Sequence, residues 1–258
     1  MFTKIAVIGT GNVGTWLFQT LQNQKDLQVC SFSSREIKIL PQNFDLYIFA
    51  LKDDIYDDIL QQISFKMPHA VHTSGSLSQN ILAQYSKNFG VLYPYQSITS
   101  YELQITNFRV PICVEGSDLI FEDLLFQWTT SIFSIVYKVN EKQRFAMHLA
   151  AVFANNFTNA MYEIAYQIFK EHNLDWSLIF PLLDNTLEKV KHNAPHLVQT
   201  GPAVRNDVSI LKKHYNNLNN KDLKNLYELI SKIIQKNYFS AALIFPSISS
   251  YLGDCNLA

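Results

Sequence analysis

A glycine-rich hexapeptide, Gly9-Thr10-Gly11-Asn12-Val13-Gly14, constrains the fold of this chain more than any other feature. It follows an apolar run, Ile5-Ala6-Val7-Ile8, that is too short for a helix and rich in β-branched residues, so the run reads as a buried strand. After it, Val13, Trp16, Leu17 and Leu21 recur at helical spacing. A Gly-x-Gly-x-x-Gly turn between a strand and a helix is the fingerprint of a dinucleotide site. Gly9 permits the sharp turn, Gly11 lets a pyrophosphate approach the backbone, and Gly14 lets the helix pack close to the strand. The free amides and positive dipole end of that helix then face the phosphates.

Further apolar runs follow at 27–32, 46–51, 70–73, 90–93 and 110–114, with helices expected near 55–63 and 119–131. Strands apolar throughout and alternating with helices predict an α/β fold: a Rossmann-type, mostly parallel sheet covered on both faces. Ligands of such sheets collect at the C-terminal strand ends. Those ends are Leu51-Lys52-Asp53, His72-Thr73-Ser74-Gly75 and Pro94-Tyr95-Gln96-Ser97. Leu51, Lys52 and the Ser74-Gly75 turn are expected to border a nicotinamide. His72 is the one group among them that titrates near neutrality, and it reads equally well as a structural histidine. The second run ends in Ser33-Ser34-Arg35, where an acid would accept from an unmodified ribose 2′-hydroxyl. Two hydroxyls and a guanidinium suit a 2′-phosphate instead, which favours NADP over NAD. Glu36 follows directly, and its side chain is expected to point elsewhere.

Beyond a short strand at 134–137 the pattern turns to long helical periodicities. A boundary near Val139 follows, with a dinucleotide-binding domain at 1–139 and an all-helical domain at 140–258. One helix is expected over 141–171. At 100° per residue, Arg144, His148, Asn155, Asn159, Tyr162 and Tyr166 share a stripe on it. Such polar groups bury only when their hydrogen bonds are met, so the stripe is either a subunit contact or the wall of a substrate cleft. Gly201-Pro202 makes a rigid turn toward Arg205 and a candidate helix cap, Asp207. Arg205 reads as a carboxylate clamp, or as a loop arginine paired with Asp207 or a carbonyl.

The chain has 258 residues, 48% of them hydrophobic and 17% charged, which suits two packed cores rather than disorder. A formal net charge of −1 gives no electrostatic case for nucleic acid or an anionic membrane. Cys30, Cys113 and Cys255 lack metal-ligand spacing, so no metal site is expected. Cys30 and Cys113 lie in apolar runs, where buried free thiols are the ordinary outcome. The most apolar long stretch, 146–169, is broken by His148, Asn155, Asn156, Asn159 and Glu163, so it is not a membrane span. With no targeting segment ahead of the first strand, the expected location is cytoplasmic.

Five blocks together carry a family resemblance. They are Gly9 to Gly14, His72-Thr73-Ser74-Gly75-Ser76, Tyr93-Pro94-Tyr95-Gln96-Ser97, the run His148 to Phe157, and the run Thr200 to Asp207. On these the chain resembles a family of Rossmann-like proteins with a helical C-terminal domain of unassigned function, whose members are described as NADP oxidoreductases. More distantly it is similar to pyrroline-5-carboxylate reductase and to the 6-phosphogluconate and β-hydroxyacid dehydrogenases. The resemblance implies NADP binding, hydride transfer to or from a small molecule, and a homodimer built through the helical domain. β-Hydroxyacid dehydrogenases carry a catalytic lysine one turn before an asparagine of the interdomain helix. Here those positions are Ala151 and Val152, and no lysine lies between Lys142 and Lys170. His148 is therefore the candidate acid/base, with Asn155 orienting a substrate and Arg205 neutralising its carboxylate. An imine reductase, which needs little acid help from the protein, is one rival. A non-catalytic NADP-binding sensor or assembly module is the other.

Overall fold

Ile5, Ala6, Val7 and Ile8 are wholly buried, because the strand they form runs through the interior of a sheet. The structure, a computed structural model, describes residues 1–105 and 109–238. The sheet contains β1 (Lys4–Ile8), β2 (Gln28–Phe32), β3 (Leu46–Phe49), β4 (Met67–His72), β5 (Ser86–Pro94), β6 (Ile112–Gly116) and β7 (Val136–Lys138). Their spatial order is β2-β1-β3-β4-β5-β6-β7. All neighbours pair in parallel except β5 and β6, which are antiparallel with Leu92 opposite Val114. The connection between those two holds only a 3₁₀ turn, Glu102–Gln104, among the described residues, so the chain returns without a crossover helix.

Alternation along the strands splits the core into two layers. Ile5, Val7, Ile48, Val71, Leu92 and Val114 meet α1 (Asn12–Gln22), through Trp16, Leu17 and Leu21. Ala6, Ile8, Tyr47, Phe49 and Ala70 meet α2 (Tyr56–Leu60) and the 3₁₀ turn Ser34–Ile39, through Tyr56, Ile59, Leu60 and Ile37. The first layer also takes Phe121, Leu125 and Trp128 of α3 (Leu119–Thr130), whose Trp128 Nε1 donates to the Phe2 carbonyl at 3.2 Å. Each large aliphatic side chain so buried contributes about 1.5–3 kcal/mol. β2 is an edge strand, and Cys30 on it is exposed, contrary to the sequence expectation; Cys113 on the interior strand β6 is buried. Cys255 lies outside the described residues.

α4 (Glu141–Ala151) starts at Asn140, whose side chain accepts from the Gln143 amide while the Gln143 side chain accepts from the Asn140 amide. Before α5 (Thr158–Glu171) the chain passes through a π turn, Val152–Phe157. Its i→i+5 bonding takes more residues per turn, so a stripe drawn at a constant 100° loses its phase there. Arg144 is fully buried and His148 half-buried, whereas Asn155, Asn159, Tyr162 and Tyr166 are exposed.

The chain divides into two compact units, one over Met1–Ala165 and one from Tyr166 onward. The second contains α6 (Phe180–His192), α7 (Pro195–Val198), α8 (Val208–Asn217) and α9 (Lys221–Tyr238). Within it the Trp176 ring is met edge-on by Tyr166, Phe169 and Phe180. Among the described residues no helix is long and apolar enough to cross a membrane.

Candidate active site

Gly9 has φ +119°, and a Cβ there would lie 2.1 Å from the Ala50 carbonyl oxygen. A Cβ on Gly14 would lie 1.9 Å from the Gly9 carbonyl oxygen, so the turn closes on itself only with glycine at both positions. Gly11 differs: nothing lies within 4 Å of the place its Cβ would take. Gly11 also begins α1 with no side-chain cap and no acidic residue in the first turn. Open space, uncapped amides and a positive helix end are what an anion needs, so these residues fit a dinucleotide pyrophosphate. Thr10 and Asn12 line the same turn and are exposed, and Val13 is half-buried.

At the end of β2, Ser33 starts the adjoining 3₁₀ turn. Its Oγ accepts from the Arg35 amide at 3.3 Å, and the Glu36 carboxylate accepts from the Ser33 amide at 2.7 Å. Glu36 is thereby folded back onto its own turn. Arg35 stays exposed at the strand end.

At the ends of β3 and β4, Leu51 is half-buried and Lys52 exposed. Asp53 accepts from the hydroxyls of Ser74, at 3.0 Å, and Ser76, which ties the two strand ends together. His72 is fully buried; its Nδ1 accepts from the Ser74 amide at 3.2 Å and its Nε2 has no partner. Burial first, and the nearby Arg144 charge second, lower its pKa to about 4. His72 is thus a neutral group closed off from solvent.

The densest polar cluster joins the sheet edge to α4. Arg144 donates to Glu115 Oε2 from Nε at 3.2 Å and Nη2 at 3.1 Å, and from Nη1 to the Ser74 carbonyl at 3.1 Å. Burial pushes the Glu115 carboxyl upward, and the guanidinium opposes that shift. One turn later His148 packs on Gly75, where a Cβ would meet His148 Nδ1 at 2.7 Å and Tyr93 Cζ at 2.9 Å. The Tyr93 hydroxyl and His148 Nδ1 are 3.1 Å apart. Burial raises the Tyr93 pKa to about 12. The Tyr95 hydroxyl donates to the Met147 carbonyl at 3.2 Å.

His148 is therefore brought to the Ser74-Gly75 turn. Asn155 lies within the π turn and is exposed. Arg205 belongs to the second unit, in a turn where Gly201 has φ +109° and Asn206 φ +51°. Asp207 caps α8 by accepting from the Ile210 amide at 3.3 Å, and Gln235 donates to the Asn206 side chain at 3.2 Å. The Arg205 guanidinium is exposed and makes no ion pair among the described residues. Sequence reasoning missed Tyr93 as the partner of His148, and Glu115 as that of Arg144. The signal for Glu115 was an acid inside the otherwise apolar 110–116 run. A cavity of about 860 Å³ lies elsewhere, against Trp16, Gln19, Asn23, Val110 and Phe133 at the C-terminal end of α1. None of the site residues above lines it.

Residues 110–234 match a family model described as a domain of unknown function (DUF2520). No curated protein matches the chain. Among solved structures, a Bacteroides fragilis protein with the provisional name NADP oxidoreductase is 30% identical, with a TM-score of 0.82. That match covers 91% of this chain and 98% of the other. A Thermotoga maritima protein is 18% identical over 91% of this chain and 98% of its own, with a TM-score of 0.66. The 1-pyrroline-5-carboxylate reductase of Streptococcus pyogenes is 13% identical over 90% and 98%, with a TM-score of 0.56. The last two are similar in fold alone.

Proposed function

The chain belongs to the same family as the Bacteroides fragilis protein, and from that premise we propose that it is an NADP-dependent oxidoreductase acting on a small, polar, carboxylate-bearing substrate. The observation that carries this reading is the turn at Gly9 to Gly14, with open space over Gly11 and an uncapped helix start behind it. Residues 1–139 act as the cofactor domain and 140–258 as the substrate and self-association domain. Gly9, Thr10, Gly11, Asn12, Val13 and Gly14 hold the pyrophosphate. Ser33, Ser34 and Arg35 take the 2′-phosphate, with Glu36 withdrawn into its own turn. Leu51, Lys52, Ser74 and Gly75 border the nicotinamide, which when bound supplies or accepts the hydride.

His148 serves as the donor to the substrate oxygen or nitrogen, Asn155 orients the substrate, and Arg205 neutralises its carboxylate. The exposed guanidinium of Arg205, without an ion pair among the described residues and in a turn tied down by Asn206 and Asp207, supports that last role. A proton donor held in place is worth ~10²–10⁴ in rate. The lack of a lysine between Lys142 and Lys170 supports an imine as a second substrate class, since an imine needs less acid help. Oxidation of NADPH against a panel of oxoacids and cyclic imines tests the proposal. Turnover of one class names the reaction; NADPH binding with no turnover across the panel leaves a sensor or assembly module, and no NADPH binding rejects the cofactor reading.

A further inference from the structure

We infer that Tyr93 is a positioning residue that fixes His148 in its Nε2–H tautomer, so that the ring presents an N–H donor to the substrate. Three observations carry this. The Tyr93 hydroxyl lies 3.1 Å from His148 Nδ1, and His148 is its hydrogen-bond partner among the described residues. A phenylalanine would fill the same space against Gly75, so packing does not account for the hydroxyl. Both partners stand on fixed supports. Tyr93 lies in β5, opposite Cys113 of β6, and His148 lies on α4, one turn from the Arg144 anchor.

The direction of the bond decides the tautomer. A phenol whose proton is hard to remove keeps it, and burial raises the Tyr93 pKa to about 12. Among the described residues that proton has one hydrogen-bond acceptor, His148 Nδ1. Nδ1 is then the lone-pair nitrogen, and the ring hydrogen sits on Nε2. A neutral imidazole held this way can polarise a carbonyl or imine through its N–H. His148 is half-buried rather than sealed in, which leaves the ring open to a ligand.

The role toward substrate rests on the oxidoreductase reading, whereas the tautomer does not. Long-range proton–nitrogen correlation of the ¹⁵N-labelled full chain, without cofactor and at mildly alkaline pH where imidazoles are neutral, reads the tautomer directly. His148→Gln assigns the signal. The expected result is the Nε2–H pattern, changing to a mixture of both tautomers in Tyr93→Phe. An Nδ1–H ring in the unmodified chain, or an unchanged pattern in Tyr93→Phe, overturns the inference. With a substrate from the NADPH panel, Tyr93→Phe should lower kcat by ~10-fold or more while leaving KM and NADPH affinity nearly unchanged. Unchanged kcat overturns the positioning role even if the tautomer stands. Absence of turnover in the unmodified chain counts against the oxidoreductase reading alone.

Discussion

Arg144 on α4 donates to the Ser74 carbonyl at 3.1 Å, and with Glu115 it ties β4, β6 and α4 together through one fully buried side chain. Removing one partner of a buried pair strands the other charge, which costs about 3–5 kcal/mol. Arg144→Met should lower stability by that amount in urea denaturation. Adding Glu115→Leu should recover most of the loss. A single variant as stable as the parent would show that the pair is not what holds α4.

His72 makes stability depend on pH in a definite direction. Its pKa is about 4 in the folded chain, below the usual value of 6.5, so the unfolded chain binds the extra proton between those values. Its contribution is fully present above about pH 6.5 and is lost as pH falls toward 4, by up to about 3 kcal/mol. His72→Asn keeps an acceptor for the Ser74 amide without a titrating ring. Urea midpoints of parent and variant at pH 7 and pH 5 should show a smaller acid loss in the variant; equal losses reject the assignment.

Arg35 is exposed at the end of β2, beside a glutamate already engaged by the Ser33 amide. A charge-assisted contact to a phosphate is worth ~1.5–3 kcal/mol, or roughly 10–100-fold in affinity. Calorimetric titration should find NADPH bound more tightly than NADH, with Arg35→Ala erasing most of the difference. Equal affinities in the parent would rule out this role.

Phe145, Leu149, Phe153 and Phe157 recur at every fourth position of one helical stretch, and each is 49–63% exposed. An apolar row of that kind marks an interaction surface. Light scattering at micromolar concentration should report twice the chain mass of 29.7 kDa, and Phe153→Asp should return it to the single mass. A parent that stays monomeric argues against self-association through this row.

The sheet was legible because each of its cues is local. The apolar runs, their alternation and the three glycines of one turn state a strand or a loop within a few residues. The anchor of α4 was not, since Arg144 meets a carbonyl 70 positions earlier in the chain. Periodicity says that a residue faces inward, not which partner waits there. His148 and Tyr93 are separated in the same way, by 55 positions. Cys30 misled for a related reason: an apolar run marks a strand, but only the pairing order shows that the strand is at an edge. The π turn within 141–171 was not legible either, because periodicity is read at a single helical pitch.

The π turn at Val152–Phe157 has a consequence for any alignment of this helix by length. A turn closed by i→i+5 bonds accommodates an extra residue without breaking the rod. Deleting Ala154 should let the segment relax to α-helix while α5 keeps its facing relative to His148, because the wider turn carries the extra residue through about the same rotation. Asn159 and Tyr162 would then stay exposed, as they are now, although the segment before them had lost a residue. The facing of α5 is thus insensitive to one residue of length in this segment, and the π turn is what makes it so.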